Sequence, residues 1–181
     1  MSKTAKLVIA FEPSEVTRNI LLDTLTINNC VNVKVDERIV SDKLGKSIFY
    51  ESDVPASNAN SIAVRGTPII KKAVTIDALN IKIDFIKMDI EGSEILALRG
   101  AKKTLMTLKY LTIEIHPSII AELGLDVREI FDLLRPYRPE YYFNGFLTDE
   151  KNLLEIKDHF ELNIILGENL PKKPEIENRT S

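Results

Sequence analysis

The sequence is short of several residue types, and each shortage excludes a class of protein. A single cysteine, Cys30, excludes an internal disulfide, so we expect a reducing, cytoplasmic location. No apolar run approaches the roughly 20 residues that a membrane helix needs, so we expect no membrane span. The net charge of −3 includes no basic stripe, which argues against a nucleic-acid partner. Histidine, cysteine and acidic residues nowhere show zinc-like spacing, so we expect no metal.

Glycine is also scarce, and the first one is Gly45. Nucleotide-binding sheets normally carry a glycine-rich turn directly after their first strand. Here the first apolar run, Leu7–Phe11, is followed by Glu12 and Pro13 instead. A nicotinamide-dependent oxidoreductase needs the glycine turn and is therefore the least favoured function.

The most informative stretch that is present runs from Asp84 to Glu94. It begins as a mostly apolar run that carries Lys87, which is typical of a strand buried on both faces. Asp89, Glu91 and Gly92 follow at once, before a helical pattern begins. An apolar strand, an acidic turn and a helix predict the carboxyl end of a strand in an open α/β sheet, where such folds bind ligands.

Strand and helix patterns alternate along the rest of the chain, and Asn144-Gly145 predicts a hairpin. This order favours a doubly wound α/β sheet with one reversed edge strand. Residues 52–61 have the composition of a loop. The expected strands are 7–11, 31–40, 47–50, 73–76, 84–88, 110–116 and 160–166, and the expected helices lie at 13–27, 95–105 and 130–134.

Three blocks together resemble the FkbM family of S-adenosylmethionine-dependent methyltransferases. They are residues 8–13, residues 32–45, and residues 83–94 with their continuation to His116. Their order and spacing make the resemblance specific, and it extends from about Leu7 to about Leu166.

The resemblance implies a Rossmann-like class I methyltransferase sheet with a terminal antiparallel hairpin, formed by residues 1–167. Residues 168–181 are polar and contain two prolines, so we expect a disordered tail. The implied cofactor is S-adenosylmethionine. The implied acceptor is a hydroxyl of a sugar, lipid or polyketide-type small molecule.

The chain departs from the family pattern in lacking the first strand, the glycine-rich turn and the first helix. In such sheets the missing strand lies centrally, between the strand that ends at Glu12 and the strand that ends at Asp89. Open strand edges promote association. The alternative function is therefore a non-catalytic remnant or partner subunit, which would form a homo-oligomer or bind a partner chain.

Two acids are expected to bind the cofactor, by resemblance to the family. Glu12 would accept hydrogen bonds from the ribose, and Asp42 would lie near the adenine amino group. Both have alternatives that need no ligand. Glu12 could be a solvated carboxylate at a helix N-terminus, and Asp42 a turn residue in Ser-Asp-Lys-Leu-Gly.

The catalytic candidates are Asp89, Glu91 and His116. Asp89 or Glu91 could interact with the sulfonium, which makes Asp89 a cofactor contact as well, or accept the hydroxyl proton. His116 is a second candidate base or an acceptor contact. The alternatives are helix capping for the acids and a structural role for the histidine, while Glu94 is expected to interact with the helix dipole.

Two further expectations concern residues near this stretch. Strand alternation places Lys87 and Glu114 on faces that could meet, so a buried ion pair between them is predicted. His159 has no neighbouring polar pattern and is expected to be a surface residue.

Overall fold

The structure is a computed structural model that describes residues 4–51 and 66–167. The predicted loop at 52–61 and the predicted tail from Glu168 lie outside those residues. The strands are β1 (Val8–Phe11), β2 (Val33–Asp36), β3 (Ile39–Val40), β4 (Gly45–Glu51), β5 (Thr67–Val74), β6 (Phe85–Met88), β7 (Tyr110–Ile115), β8 (Glu140–Phe143), β9 (Phe146–Thr148) and β10 (Phe160–Ile165). The helices are α1 (Glu15–Ile27), α2 (Glu94–Arg99), α3 (Lys102–Leu105), α4 (Pro117–Glu122), α5 (Arg128–Leu134) and α6 (Glu150–Leu154).

The strands form three sheets, of which the largest, here called the main sheet, has the order β6-β7-β10-β8-β9. β6 is parallel to β7, and β10 is antiparallel to both β7 and β8. Positive φ angles at Asn144 and Gly145 form the predicted hairpin between β8 and β9. The predicted α/β class with a terminal antiparallel hairpin is confirmed. The reversed strand, β10, lies inside the sheet and not at its edge.

The other two sheets are smaller. β1 and β2 pair in parallel, with α1 as their connection, and β5 lies between β3 and β4. The prediction that β2 continues to Val40 is wrong. Asp36 Oδ1 accepts a hydrogen bond from the Arg38 N–H at 3.0 Å, a local turn that ends β2. β3 then pairs with β5.

One face of the main sheet forms the core. Alternate residues of β7 and β10 are buried there and pack in one apolar cluster with residues of α2, α4 and α5. Each fully buried leucine or isoleucine contributes about 1.5–3 kcal/mol. The strand members are Leu111, Ile113, Ile115, Leu162 and Ile164, and helix members include Ile95, Leu98, Ile120, Ile130, Phe131 and Leu134.

The opposite face of the main sheet is exposed among the described residues. Phe85 and Tyr110 keep 40% and 48% of their surface accessible. Lys87 and Asn163 are exposed on the same face. The prediction that the strand before Asp89 is buried on both faces is therefore wrong, because a short apolar run does not reveal how many of its faces are covered.

Within the described residues, β1 pairs only with β2, and β6 pairs only with β7. Each of these two strands therefore has one unpaired edge among the described residues, as the sequence predicts for the strands that end at Glu12 and Asp89. None of the helices in residues 4–51 and 66–167 has the length and apolarity to cross a membrane.

Candidate active site

Four carboxylates and one imidazole meet where the parallel strands β6 and β7 end. Asp89, Glu91 and Glu94 follow β6, whereas Glu114 and His116 lie at the end of β7. The pairing of Met88 with Ile113 brings the two strand ends together. We call these five residues the acidic corner. Its place at the carboxyl ends of the strands is where open α/β sheets bind ligands.

The turn of the acidic corner has an unusual backbone. Glu91 and Gly92 both have positive φ, 51° and 93°. Glycine is required at position 92 for two reasons: its φ is positive, and an added Cβ would overlap Ile119 Cγ2. Glu91 carries a side chain, so its left-handed conformation is strained, and such strain is typical of functional sites.

Glu94 and His116 form the buried part of the corner. Glu94 is 0% exposed and His116 is 8% exposed. Glu94 Oε1 accepts a hydrogen bond from the Gly92 N–H at 3.0 Å and lies 3.2 Å from His116 Nδ1. Glu94 Oε2 is buried with no hydrogen-bond partner among the described residues. Glu94 thus lies in the first turn of α2, as the dipole prediction requires, but its carboxylate also orients His116.

The other ring nitrogen of His116 faces acids. Its Nε2 lies 3.5 Å from Glu91 Oε2 and 3.9 Å from Glu114 Oε1. The pKa of His116 is raised, first by the hydrogen bond to Glu94 and then by the negative charges around it, against the effect of burial. The pKa of Glu91 is also raised, first by burial, while the positive His116 opposes the shift. The corner therefore favours a positive charge at its centre.

Lys87 contacts this corner, but not as predicted. Its Nζ lies 3.6 Å from Glu161 Oε2 and 3.9 Å from Asp89 Oδ2. The predicted buried pair with Glu114 is wrong, because the open face of the main sheet leaves Lys87 in solvent. Glu161 was missed as its partner. Only the register of β10, which sets Glu161 opposite Glu114, reveals it.

His159 is exposed, as predicted, but its ring also stacks on His116 with centroids 5.9 Å apart and 16° between planes. The antiparallel pairing of Phe160 with Ile115 brings the two histidines together. Sequence reasoning missed this contact, since no periodicity links residues from separate strands.

Glu12 lies at the end of β1, before α1. Its Oε1 accepts a hydrogen bond from the Ser14 N–H at 2.9 Å. Ser14, and not Glu12, is the N-cap of α1. The pKa of Glu12 is raised, first by burial and also by the charge of Glu51, whereas the Ser14 N–H and Arg18 oppose the shift. Glu12 is thus a partly desolvated carboxylate at a strand end.

Asp42 follows β3, and its Oδ1 accepts a hydrogen bond from the Ser41 hydroxyl at 3.2 Å. The end of α2 packs so closely against Ser41 that a Cβ added at Gly100 would overlap the Ser41 carbonyl oxygen. The pKa of Arg99 is raised, first by the hydrogen bond that its guanidinium donates to Glu129 and also by the negative charge of Asp42. These contacts are typical of a turn residue, and the Asp42 carboxylate lies just after the end of β3.

The structure therefore brings together the three predicted catalytic residues, Asp89, Glu91 and His116. Within residues 4–51 and 66–167, no hydrogen bond or ion pair joins Glu12 or Asp42 to them. Glu94 and Glu114 complete the corner. Strand alternation could have found Glu114, which shares a face with His116.

One comparison with known proteins shows the family that the sequence resembles. The model of the methyltransferase FkbM domain matches residues 2–142. A search of curated proteins gives no match. Among solved structures, the crystal structure of methyltransferase FkbM from Methylobacillus flagellatus KT matches with 19% identity and a TM-score of 0.48. That match covers 88% of this chain and 36% of the other, so the chain spans about a third of that protein's length.

Proposed function

We propose a function for this chain on the premise that it belongs to the FkbM methyltransferase domain family. The function is methyl transfer from S-adenosylmethionine to the oxygen of a small-molecule hydroxyl, on a sugar, lipid or polyketide-type acceptor. The acidic corner is the site of transfer.

The residues present fit the charged and polar parts of the cofactor. S-adenosylmethionine supplies an activated methyl group on a positively charged sulfur. Asp89 and Glu91 place negative charge at the end of β6, which suits a cation. Glu12 offers a partly desolvated carboxylate at the end of β1, which suits ribose hydroxyls. Asp42 is assigned to the adenine amino group.

A hydroxyl acceptor loses its proton as the new bond forms, so a base near the attacking oxygen helps. Glu91 is the principal candidate, with Asp89 and His116 beside it. Glu94 holds the His116 ring from its Nδ1 side. Methyl transfer is an in-line displacement, so the main task of the corner is to position the reacting groups.

One observation carries the proposal. In a chain of this family, acids from the ends of two neighbouring strands converge on His116. The turn that places Glu91 there requires a left-handed backbone conformation, which is unfavourable for glutamate. Stability alone does not explain four carboxylates in one corner, since like charges at close range are destabilising.

Isothermal titration of the full chain with S-adenosylhomocysteine tests cofactor binding. We expect saturable binding that Glu12→Gln weakens about tenfold, because a hydrogen bond to a charged group is lost. Glu15→Gln, an exposed acid of α1, is the matched control and should bind normally. Absence of binding at millimolar ligand would contradict the proposal. Transfer of a labelled methyl group to a panel of hydroxyl compounds then identifies the acceptor class.

In the described part of the chain, β1 and β6 each have one unpaired edge, and this favours a second candidate, a partner subunit without catalysis of its own. Light scattering in dilute solution separates the two. An obligate dimer that binds no cofactor supports the partner role, whereas a monomer that binds S-adenosylhomocysteine excludes it.

A further inference from the structure

The acidic corner has the donor set of a metal site. Asp89, Glu114 and His116 each offer one ligand atom, and these atoms lie within 4.8 Å of one another. Two carboxylates come from neighbouring strand ends, and the imidazole follows β7 directly. The sequence alone predicted no metal, because it shows no zinc-like spacing and these residues meet only through the β6–β7 pairing.

The orientation of His116 is that of a metal ligand. Its Nδ1 is 3.2 Å from the carboxylate of Glu94, which is wholly buried. With the Nδ1 proton donated to Glu94, Nε2 carries a lone pair. A second carboxylate that holds the far nitrogen is the usual outer partner of a metal-bound histidine, since it fixes the tautomer and the ring.

Among the described residues, the ion-pair partners of Nε2 are both acids. Glu91 Oε2 lies 3.5 Å and Glu114 Oε1 3.9 Å from Nε2, both longer than a hydrogen bond. His116 is 8% exposed, and its Nε2 faces these acceptors. In the neutral form of His116 the Nε2 lone pair faces carboxylates, and this repulsion is relieved either by a proton on Nε2 or by a metal cation between the groups.

The corner also holds more negative charge than its own cations offset. Lys87 contacts Asp89 but shares its charge with Glu161. Glu94 adds a buried Oε2 that has no hydrogen-bond partner in the described part of the chain. Both observations indicate a site that is short of positive charge.

We infer that Asp89, Glu114 and His116 bind a divalent cation, with Glu94 as the residue that positions the histidine. Two carboxylates and one imidazole suit a first-row ion such as Mn²⁺. Asp89 is exposed and Glu114 partly so, which gives the ion a path from solvent.

The role of the ion rests on the proposed function, although its binding does not. A divalent cation beside Glu91 would orient and polarise an acceptor hydroxyl. His116 would hold the ion beside the acceptor, and Glu91 would remain free to accept the proton.

Titration of the full chain with Mn²⁺ alone, without cofactor, tests the site. Electron paramagnetic resonance follows the loss of the free-ion signal. We expect one ion per chain. Asp89→Asn and Glu114→Gln should each weaken binding at least about tenfold, and Glu94→Gln about 10- to 100-fold. Asp84→Asn, at the other end of β6, is the matched control and should bind like the parent chain.

Circular dichroism establishes that each variant is folded, and if Glu94→Gln is not, the exposed Asp89 and the partly exposed Glu114 still decide the question. No Mn²⁺ binding at millimolar ion would overturn the inference and leave a proton as the cation on His116. Binding that survives both Asp89→Asn and Glu114→Gln would overturn it too. Because the readout is the ion alone, failure here leaves S-adenosylhomocysteine binding, and hence the proposed function, as a separate result.

Discussion

The acidic corner and the acids Glu12 and Asp42 are both carboxylates at strand ends, but they are held differently. Glu12 and Asp42 each accept a hydrogen bond from a residue one or two positions away in the chain. The corner instead joins residues of two strands, buries Glu94 completely and holds Glu91 in a left-handed conformation. Local hydrogen bonds can be explained by stability, whereas costly features that persist usually mark a function.

The largest expected effect is that of Gly92→Ala, which breaks the turn of the corner. The new Cβ would overlap Ile119 Cγ2, and the alanine would have to adopt φ near 93°. The two costs together should lower the free energy of unfolding by about 3 kcal/mol. Urea unfolding measures this loss.

Gly145→Ala is the matched control for Gly92→Ala. Gly145 also has positive φ, but an added Cβ meets nothing within 4 Å. It should cost only about 1 kcal/mol. Equal costs at the two glycines would mean that the packing of the corner against α4 contributes nothing.

Removal of the buried carboxylate should have the next largest effect. Glu94→Ala takes away the partner of His116 Nδ1 and should cost about 2–3 kcal/mol. A double-mutant cycle of Glu94→Ala with His116→Ala should give a coupling energy of about 1–3 kcal/mol. Glu114→Gln, at a partly exposed side chain, should cost less than about 0.5 kcal/mol. A coupling energy near zero would contradict the arrangement of the corner.

Glu91→Asn tests whether the strain serves function. Asparagine tolerates the left-handed region better than glutamate does, so the variant should be more stable by up to about 1 kcal/mol. Methyl transfer, the proposed activity, should nevertheless be lost. Glu91→Ala keeps the strain and should show no such gain in urea unfolding. A variant Glu91→Asn that is both more stable and fully active would show that the strain has no catalytic purpose.

Glu12→Gln should have the smallest effect, and one that depends on pH. The folded-state pKa of Glu12 is raised, mainly by burial, so the folded chain retains the proton after the unfolded chain has lost it. Stability is therefore penalised from the unfolded pKa of about 4.3 upward, and fully above the folded value. Because solvent screens the group, Glu12→Gln should gain about 0.5 kcal/mol at pH 7 and nothing at pH 3. Thermal unfolding at the two pH values measures this difference, and a gain at pH 3 would contradict the assignment.

Much of the fold follows from the sequence, because apolar periodicity and turn residues are local. The hairpin at Asn144-Gly145 and the strands before Asp89 and His116 are examples. The end of β2 was missed, because the Asp36–Arg38 turn depends on hydrogen bonds that the Asp36 side chain accepts from Arg38. The open face beside Phe85 was missed, because a run of apolar residues does not show what covers it.

The candidate site was predicted in part for the same reason. Asp89, Glu91 and His116 stand at strand ends that the pattern reveals. The contacts of Glu94 with His116, and of Lys87 with Glu161, depend on strand register and helix docking. The sequence therefore predicted that these residues lie at one corner of the sheet, but not which partners hold them.

The central claim, that the acidic corner faces the cofactor's positive sulfur, is tested most directly by comparing two ligands. S-adenosylmethionine carries that charge and S-adenosylhomocysteine does not. In buffer with a chelator, Asp89→Asn and Glu91→Asn should each weaken binding of S-adenosylmethionine about fivefold, the effect of about 1 kcal/mol, and leave S-adenosylhomocysteine unchanged. Equal effects on both ligands, or none on either, would contradict the claim.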